Sequence, residues 1–140
     1  FDNIDVRNGR LEALPLADDE VDAALLFLVL HYVSDPARVV AEAARVLRPG
    51  GRLLVLDMMP HDRQDLRHSL GHLWQGFASA TVADWMRAAG MVGVRYRSLP
   101  PDPEAKGPLL FAASATRGAE SARKSSSRRK ADAVPLMKSA

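Results

Sequence analysis

The chain contains no cysteine, which excludes a disulfide framework, thiolate catalysis and a cysteine-ligated metal. It has no apolar run of about eighteen residues, so no transmembrane helix is expected. No Gly-x-Gly-x-x-Gly occurs, so the usual dinucleotide fingerprint is lacking. No internal repeat is visible, and no nucleophile–histidine–acid triad is apparent. The chain opens at Phe1 rather than methionine. A signal peptide cannot be judged from such a start, and the cytoplasm is the default location.

What is present is most legible between Asp35 and Asp57. Pro36 suits the first turn of a helix, with Asp35 or Ser34 as N-cap. Val39, Val40, Ala43, Val46 and Leu47 recur at steps of three and four, which predicts a helix over 36–47 with one apolar face. Pro49-Gly50-Gly51 stops that helix. Leu53 to Leu56 then form a short apolar run that fits a strand over 52–58 buried on both faces. A helix feeding directly into such a strand predicts an α/β sheet. Elsewhere the patterning predicts strands near 4–7 and over 22–29. Helices are expected at about 62–74 and 81–89, the second capped by Ser79 or Thr81 and ended by Gly90. Strands over 92–98 and 108–115 follow, joined through Pro100-Pro101-Asp102-Pro103.

Two segments carry a resemblance. Arg45-Val46-Leu47-Arg48-Pro49-Gly50-Gly51-Arg52-Leu53-Leu54-Val55 resembles the helix-to-fifth-strand junction of the class I S-adenosylmethionine-dependent methyltransferases, in their type 11 form. Leu14-Pro15-Leu16-Ala17-Asp18-Asp19-Glu20-Val21-Asp22 is similar to that family's lead into its fourth strand. The resemblance runs from about Ile4 to Ala115. It implies a Rossmann-like α/β sheet ending in an antiparallel hairpin, with S-adenosylmethionine as cofactor. The family's Gly-rich loop and the acidic end of its second strand are absent here. The chain is therefore expected to be the C-terminal half of a methyltransferase domain, inactive alone. Without the first and second strands, the edge of the fourth would be exposed, and the polypeptide alone is expected to fold poorly.

The domain is expected to span 1–115, followed by a basic tail over 116–140. Residues 117–140 hold seven Lys/Arg against two Asp/Glu, whereas 1–116 hold twelve against fifteen. The tail is low in apolar content and is expected to be disordered. It offers at most a weak contact to nucleic acid, having no aromatic residue for base stacking. The expected partner is instead a small-molecule methyl acceptor, with a second copy of the chain as a further candidate. The alternative reading is a non-catalytic cofactor-sensing or dimerising domain of a transcription regulator.

Methyl transfer from a sulfonium needs alignment and exclusion of water more than acid–base machinery. The resemblance places Gly9, Arg10 and Leu11 beside the adenine, although Arg10 has only donors where an acceptor is usual. It places Leu26 and Phe27 beside the methionine moiety, although a polar residue is common at the Phe27 position; both also suit the core. His31, at the C-terminal rim of the sheet where ligands of open α/β folds bind, can act as a base or orient a substrate. Asp57 ends the next strand on the same rim. His31 and Asp57 are the catalytic candidates. His68 and His72, four apart on the expected helix, form a usable ligand pair, but no third ligand is identified and no metal is assigned. Trp74 and Phe77 can cap the substrate pocket or fill the core.

Overall fold

The computed structural model describes residues 2–119. Residues 120–140, most of the basic tail, lie outside them. The chain enters its first strand, β1 (Val21–Phe27), and then a single 3-10 turn over Leu30–Tyr32. Helix α1 (Pro36–Val46) crosses over to β2 (Leu47–Met58). Two helices, α2 (Gln64–Leu70) and α3 (Ser79–Ala88), precede β3 (Met91–Ser98) and β4 (Leu110–Arg117). The strands form one mixed sheet in the order β1-β2-β4-β3. β1 runs parallel to β2, as a helical crossover demands, while β4 is antiparallel to both β2 and β3. The α/β sheet with a terminal antiparallel pair is the one the sequence predicts.

Local chemistry accounts for the crossover. Asp35 caps α1, its carboxylate accepting the Arg38 N–H at 3.1 Å, and Pro36 occupies the first turn. The apolar face Val39, Val40, Ala43, Val46 and Leu47 is buried throughout. The Pro49-Gly50-Gly51 stop is a bulge inside β2. Val21 pairs with Leu47 and Ala23 with Arg52, so residues 48–51 loop out opposite Asp22.

α1 and α3 pack on one face of the sheet. Val39, Val40, Val82 and Met86 from the helices meet Leu26, Leu53, Val55 and Phe111 from the strands in a single core. The opposite face is open. Leu25, Phe27 and Leu54 are 59%, 54% and 39% exposed there, and the row continues through exposed Arg52, Arg95 and Arg97. This corrects the expectation that Leu53–Leu56 is buried on both faces. β2 alternates buried and exposed over Leu53–Val55 because only one face carries a layer of helices. Among the described residues β1 is also an edge strand, paired on one side only.

Four further expectations change. Residues 4–9 are not a strand: among the described residues no strand lies beside them to share backbone hydrogen bonds. β1 ends at Phe27, not residue 29, because Leu28 turns out of the ladder at φ 53°. The helix expected over 62–74 is only α2, ended by Gly71 in the left-handed conformation, so His72, Trp74 and Phe77 lie beyond it. α3 starts after Ala78 with no side-chain cap, so neither Ser79 nor Thr81 plays that part. Its stop does hold, with Gly90 at φ 81° just past the last turn.

The irregular segment before β1 is tied to α1 by charge. Arg45 reaches Glu42 and Asp18, each at 2.7 Å, and the Leu16 carbonyl at 2.9 Å. Glu42 in turn accepts the Leu14 N–H at 2.8 Å. The Arg45 guanidinium, with help from the Leu14 amide, holds the Glu42 carboxyl below its usual range. Arg117 at the end of β4 donates to the Leu47 carbonyl and pairs with Asp19.

Candidate active site

The rim at the C-terminal ends of β1 and β2 assembles the polar centre. Asp57 is fully buried and His31 is 4% exposed. They meet across the rim, His31 Nδ1 lying 2.8 Å from Asp57 Oδ1. A buried carboxylate needs several partners, and Asp57 has them. Its Oδ2 accepts the Leu30 N–H at 3.1 Å, and its Oδ1 also accepts the Met58 N–H at 2.8 Å. With Nδ1 donating to the carboxylate, Nε2 is left as the imidazole's acceptor. The sequence offered both residues singly; the turn over Leu30–Tyr32 makes them a pair.

Two rings enclose that imidazole. Tyr32 lies 4.2 Å and His72 4.3 Å from it, centroid to centroid. His72 is 7% exposed and its Nδ1 has no partner. Burial, reinforced by the positive potential of His31 and His61, lowers the pKa of His72 from its ordinary value. The segment after α2 is held over the rim by backbone bonds, Leu73 N–H to His31 O at 2.8 Å and Phe77 N–H to Met58 O at 2.9 Å. Gly76 is required there, because its φ is 81° and a Cβ would overlap the Met59 carbonyl. Trp74 donates to the Val33 carbonyl at 2.8 Å, and Phe77 lies in the core against Trp85. His68 is exposed and shares no helical face with His72. Among the described residues no cluster of three or more metal-ligating side chains forms.

His31, Tyr32 and His72 border a cleft of about 630 Å³. Leu28 and Met58 also line it, and the β3–β4 connection supplies Pro100, Asp102 and Leu109. Its size and apolar walls suit a small organic ligand. Tyr32, His72 and the β3–β4 connection are the lining that sequence reasoning missed. Pro100-Pro101 marked that stretch as a loop, but nothing in the sequence placed it against His31.

The five cofactor candidates are not gathered into this cleft. Gly9 lies against the Pro15 ring, and Leu11 packs half-buried on the core. Arg10 faces solvent beside Glu12, and its backbone bridges to Ala13. Leu26 is a core residue, while Phe27 is exposed on the open face. These residues fit an apolar side of a purine through Leu11. The Arg10 side chain carries only donors, so it supplies no acceptor for the amino group.

Comparison with known proteins agrees with this architecture. Residues 1–55 match the family model described as a methyltransferase domain. A ubiquinone/menaquinone biosynthesis C-methyltransferase of Hahella chejuensis is 45% identical over 56 residues, 40% of this chain and 22% of that protein. An uncharacterized methyltransferase of Mycobacterium tuberculosis is 58% identical over 45 residues, 32% of this chain and 18% of its own length. Among solved structures, an S-adenosylmethionine-dependent methyltransferase of Thermotoga maritima, described as a possible histamine N-methyltransferase, superposes with a TM-score of 0.62 at 25% identity. That match covers 78% of this chain and 62% of the other. The matched segment thus spans about a fifth of each curated relative.

Proposed function

From a chain whose first 55 residues and sheet belong to the class I S-adenosylmethionine-dependent methyltransferases, we propose that the full-length protein methylates a small-molecule acceptor in the cytoplasm. When bound, S-adenosylmethionine supplies a methyl group already activated by its sulfonium. The cleft beside His31 takes the acceptor. Asp57 fixes the imidazole through Nδ1, and Nε2 orients the acceptor's nucleophile or accepts its proton. The apolar walls exclude water, which would compete for the hydrogen bond. The observation that carries this reading is the buried His31–Asp57 pair on the rim of a cleft large enough for a small organic molecule.

The cofactor-binding part is proposed to rest largely on residues beyond those described. The open edge of β1 and the partial span of the relatives support this. The domain, expected from the sequence to end at residue 115 before a tail over 116–140, is proposed instead to run through Arg117, which ends β4 and pairs with Asp19.

The test is formation of S-adenosylhomocysteine by the full-length protein against a panel of small acceptors, alongside calorimetric binding of S-adenosylmethionine. His31→Ala is expected to lower kcat by about 10²–10⁴, the usual contribution of a positioned acid–base group, and to leave cofactor binding unchanged. Unaltered kinetics in that variant would remove His31 from the chemistry.

A further inference from the structure

We propose that residues 60–76 form a proton-operated lid on the cleft, closed while the His72 imidazole is neutral and released when it takes up a proton. The inference concerns access to the cleft and goes beyond the methyl-transfer reading, on which it does not depend.

The excursion from Met59 to Phe77 is held to the molecule by little apolar contact. Helix α2 lies within it and buries no residue. Leu70, Leu73 and Trp74 are exposed. Between Met59 and Phe77 the sole buried side chain is that of His72. An apolar side chain in that place would hold the excursion down at every pH. A histidine titrates near neutrality, so its hold depends on the proton. Its ring lies 4.3 Å from that of His31 and edge-on to Tyr32 at 5.1 Å. Gly71 and Gly76, both left-handed, bracket the stretch that carries it.

Polar contacts to the rest of the chain are few. The Leu73 N–H reaches the His31 carbonyl and the Trp74 indole N–H the Val33 carbonyl, each at 2.8 Å. Arg63 donates to the Lys106 carbonyl at 2.9 Å from an exposed position. Against these, Nε2 of His61, Nδ1 of His72 and Nε2 of Gln75 are buried without a partner. Among the described residues every such side-chain atom belongs to this excursion. A buried polar group that lacks a partner favours any state in which water reaches it. Opening the excursion satisfies all of them together.

The direction of the proton effect follows from the surroundings of His72. His31 and Tyr32 come from the 3-10 turn, Asp57 from the end of β2 and His61 from the stretch after it. Asp102 borders the same cleft from the β3–β4 connection. Arg67 and His68, on α2, face solvent. Burial and the two histidines disfavour a proton on His72, and Asp57 favours one. The Asp57 oxygens already serve His31 and the N–H groups of Leu30 and Met58. A released imidazole, in water, protonates at about its ordinary 6.5. The open form therefore takes up a proton that the closed form resists, and opening gains as pH falls through that value.

Hydrogen exchange of the full-length protein, read by mass spectrometry at about pH 7.5, 6.5 and 5.5, tests this. Rates are corrected for the pH dependence of the exchange chemistry. Protection over 71–76, which includes the Leu73 amide, is expected to fall severalfold between about pH 7.5 and 5.5, to a limit of about tenfold, while α1 and β2 keep theirs. His72→Phe keeps a ring that cannot titrate, and is expected to abolish the fall. If it does not fold, His72→Asn takes its place. If neither folds, the pH series on the unsubstituted protein decides alone. Protection that stays level across the series overturns the proposal. A fall shared by α1 and β2 overturns it too, because that is unfolding of the whole domain. So does a fall that persists in the variant, or a rise at low pH from pairing of protonated His72 with Asp102.

Discussion

At the scale of single residues, the site depends on one buried acid and two histidines with opposite assignments. Asp57 is satisfied three times over, and its bond holds Nδ1 of His31. His72 is kept neutral by its burial. The linkage sign follows from that. Its folded pKa lies below the ordinary 6.5, so the unfolded chain takes up the proton first. The stability that neutral His72 contributes is complete above about pH 6.5 and is lost as pH falls below it. In His72→Phe, the melting temperature is therefore expected to fall less between about pH 6.5 and 5 than in the unsubstituted protein. Parallel melting curves for the two proteins over that window would refute the assignment. Neither histidine's role is legible from its spacing in the sequence. His68 and His72 look like a helical pair, and only the left-handed turn at Gly71 separates them.

At the scale of elements, the segment between α2 and α3 shapes the site without contributing a reacting group. It crosses the rim on two backbone hydrogen bonds, and Gly76 lets it pass against Met59. Gly76→Ala would bring a Cβ into the Met59 carbonyl at a positive φ. The expected cost is roughly 1–3 kcal/mol, the range for overpacking a closed site. It is measured by denaturant unfolding of the full-length protein, and a change under about 0.5 kcal/mol, typical of an open surface site, would show the segment to be pliable. α1 and the presence of β2 were legible in advance because their signals are local: a cap, a proline, a 3.6-residue apolar repeat and a short apolar run. The strand expected at 4–7 was not, because a strand needs a neighbour, and an apolar–polar alternation cannot say whether one is there.

At the scale of the molecule, the sheet is layered on one side only among the described residues. Parallel pairs such as β1–β2 ordinarily lie between two layers. Here Leu25, Phe27 and Leu54 meet solvent instead. A polypeptide limited to these 140 residues is expected to aggregate, or to melt over a broad range, when examined by sedimentation and calorimetry. A soluble monomer with one sharp transition would show that the open face is tolerated. Among the described residues no helix is long and apolar enough to cross a membrane.

The sequence by itself determined what depends on near neighbours along the chain. The α1 cap, its buried face, the stop at Gly90 and the α/β class implied by a helix feeding into a strand were all readable from residue type and spacing. Tertiary structure decided what depends on meetings across the chain. His31 and Asp57 are 26 positions apart, and their hydrogen bond exists because a parallel register brings two strand ends to one rim. The β3–β4 connection reaches the same rim because β4 pairs antiparallel with β2, setting Leu110 beside Met58. Residue patterning records which face a side chain takes. It does not record which other strand end will stand opposite, and the chemistry of this cleft is made of those encounters.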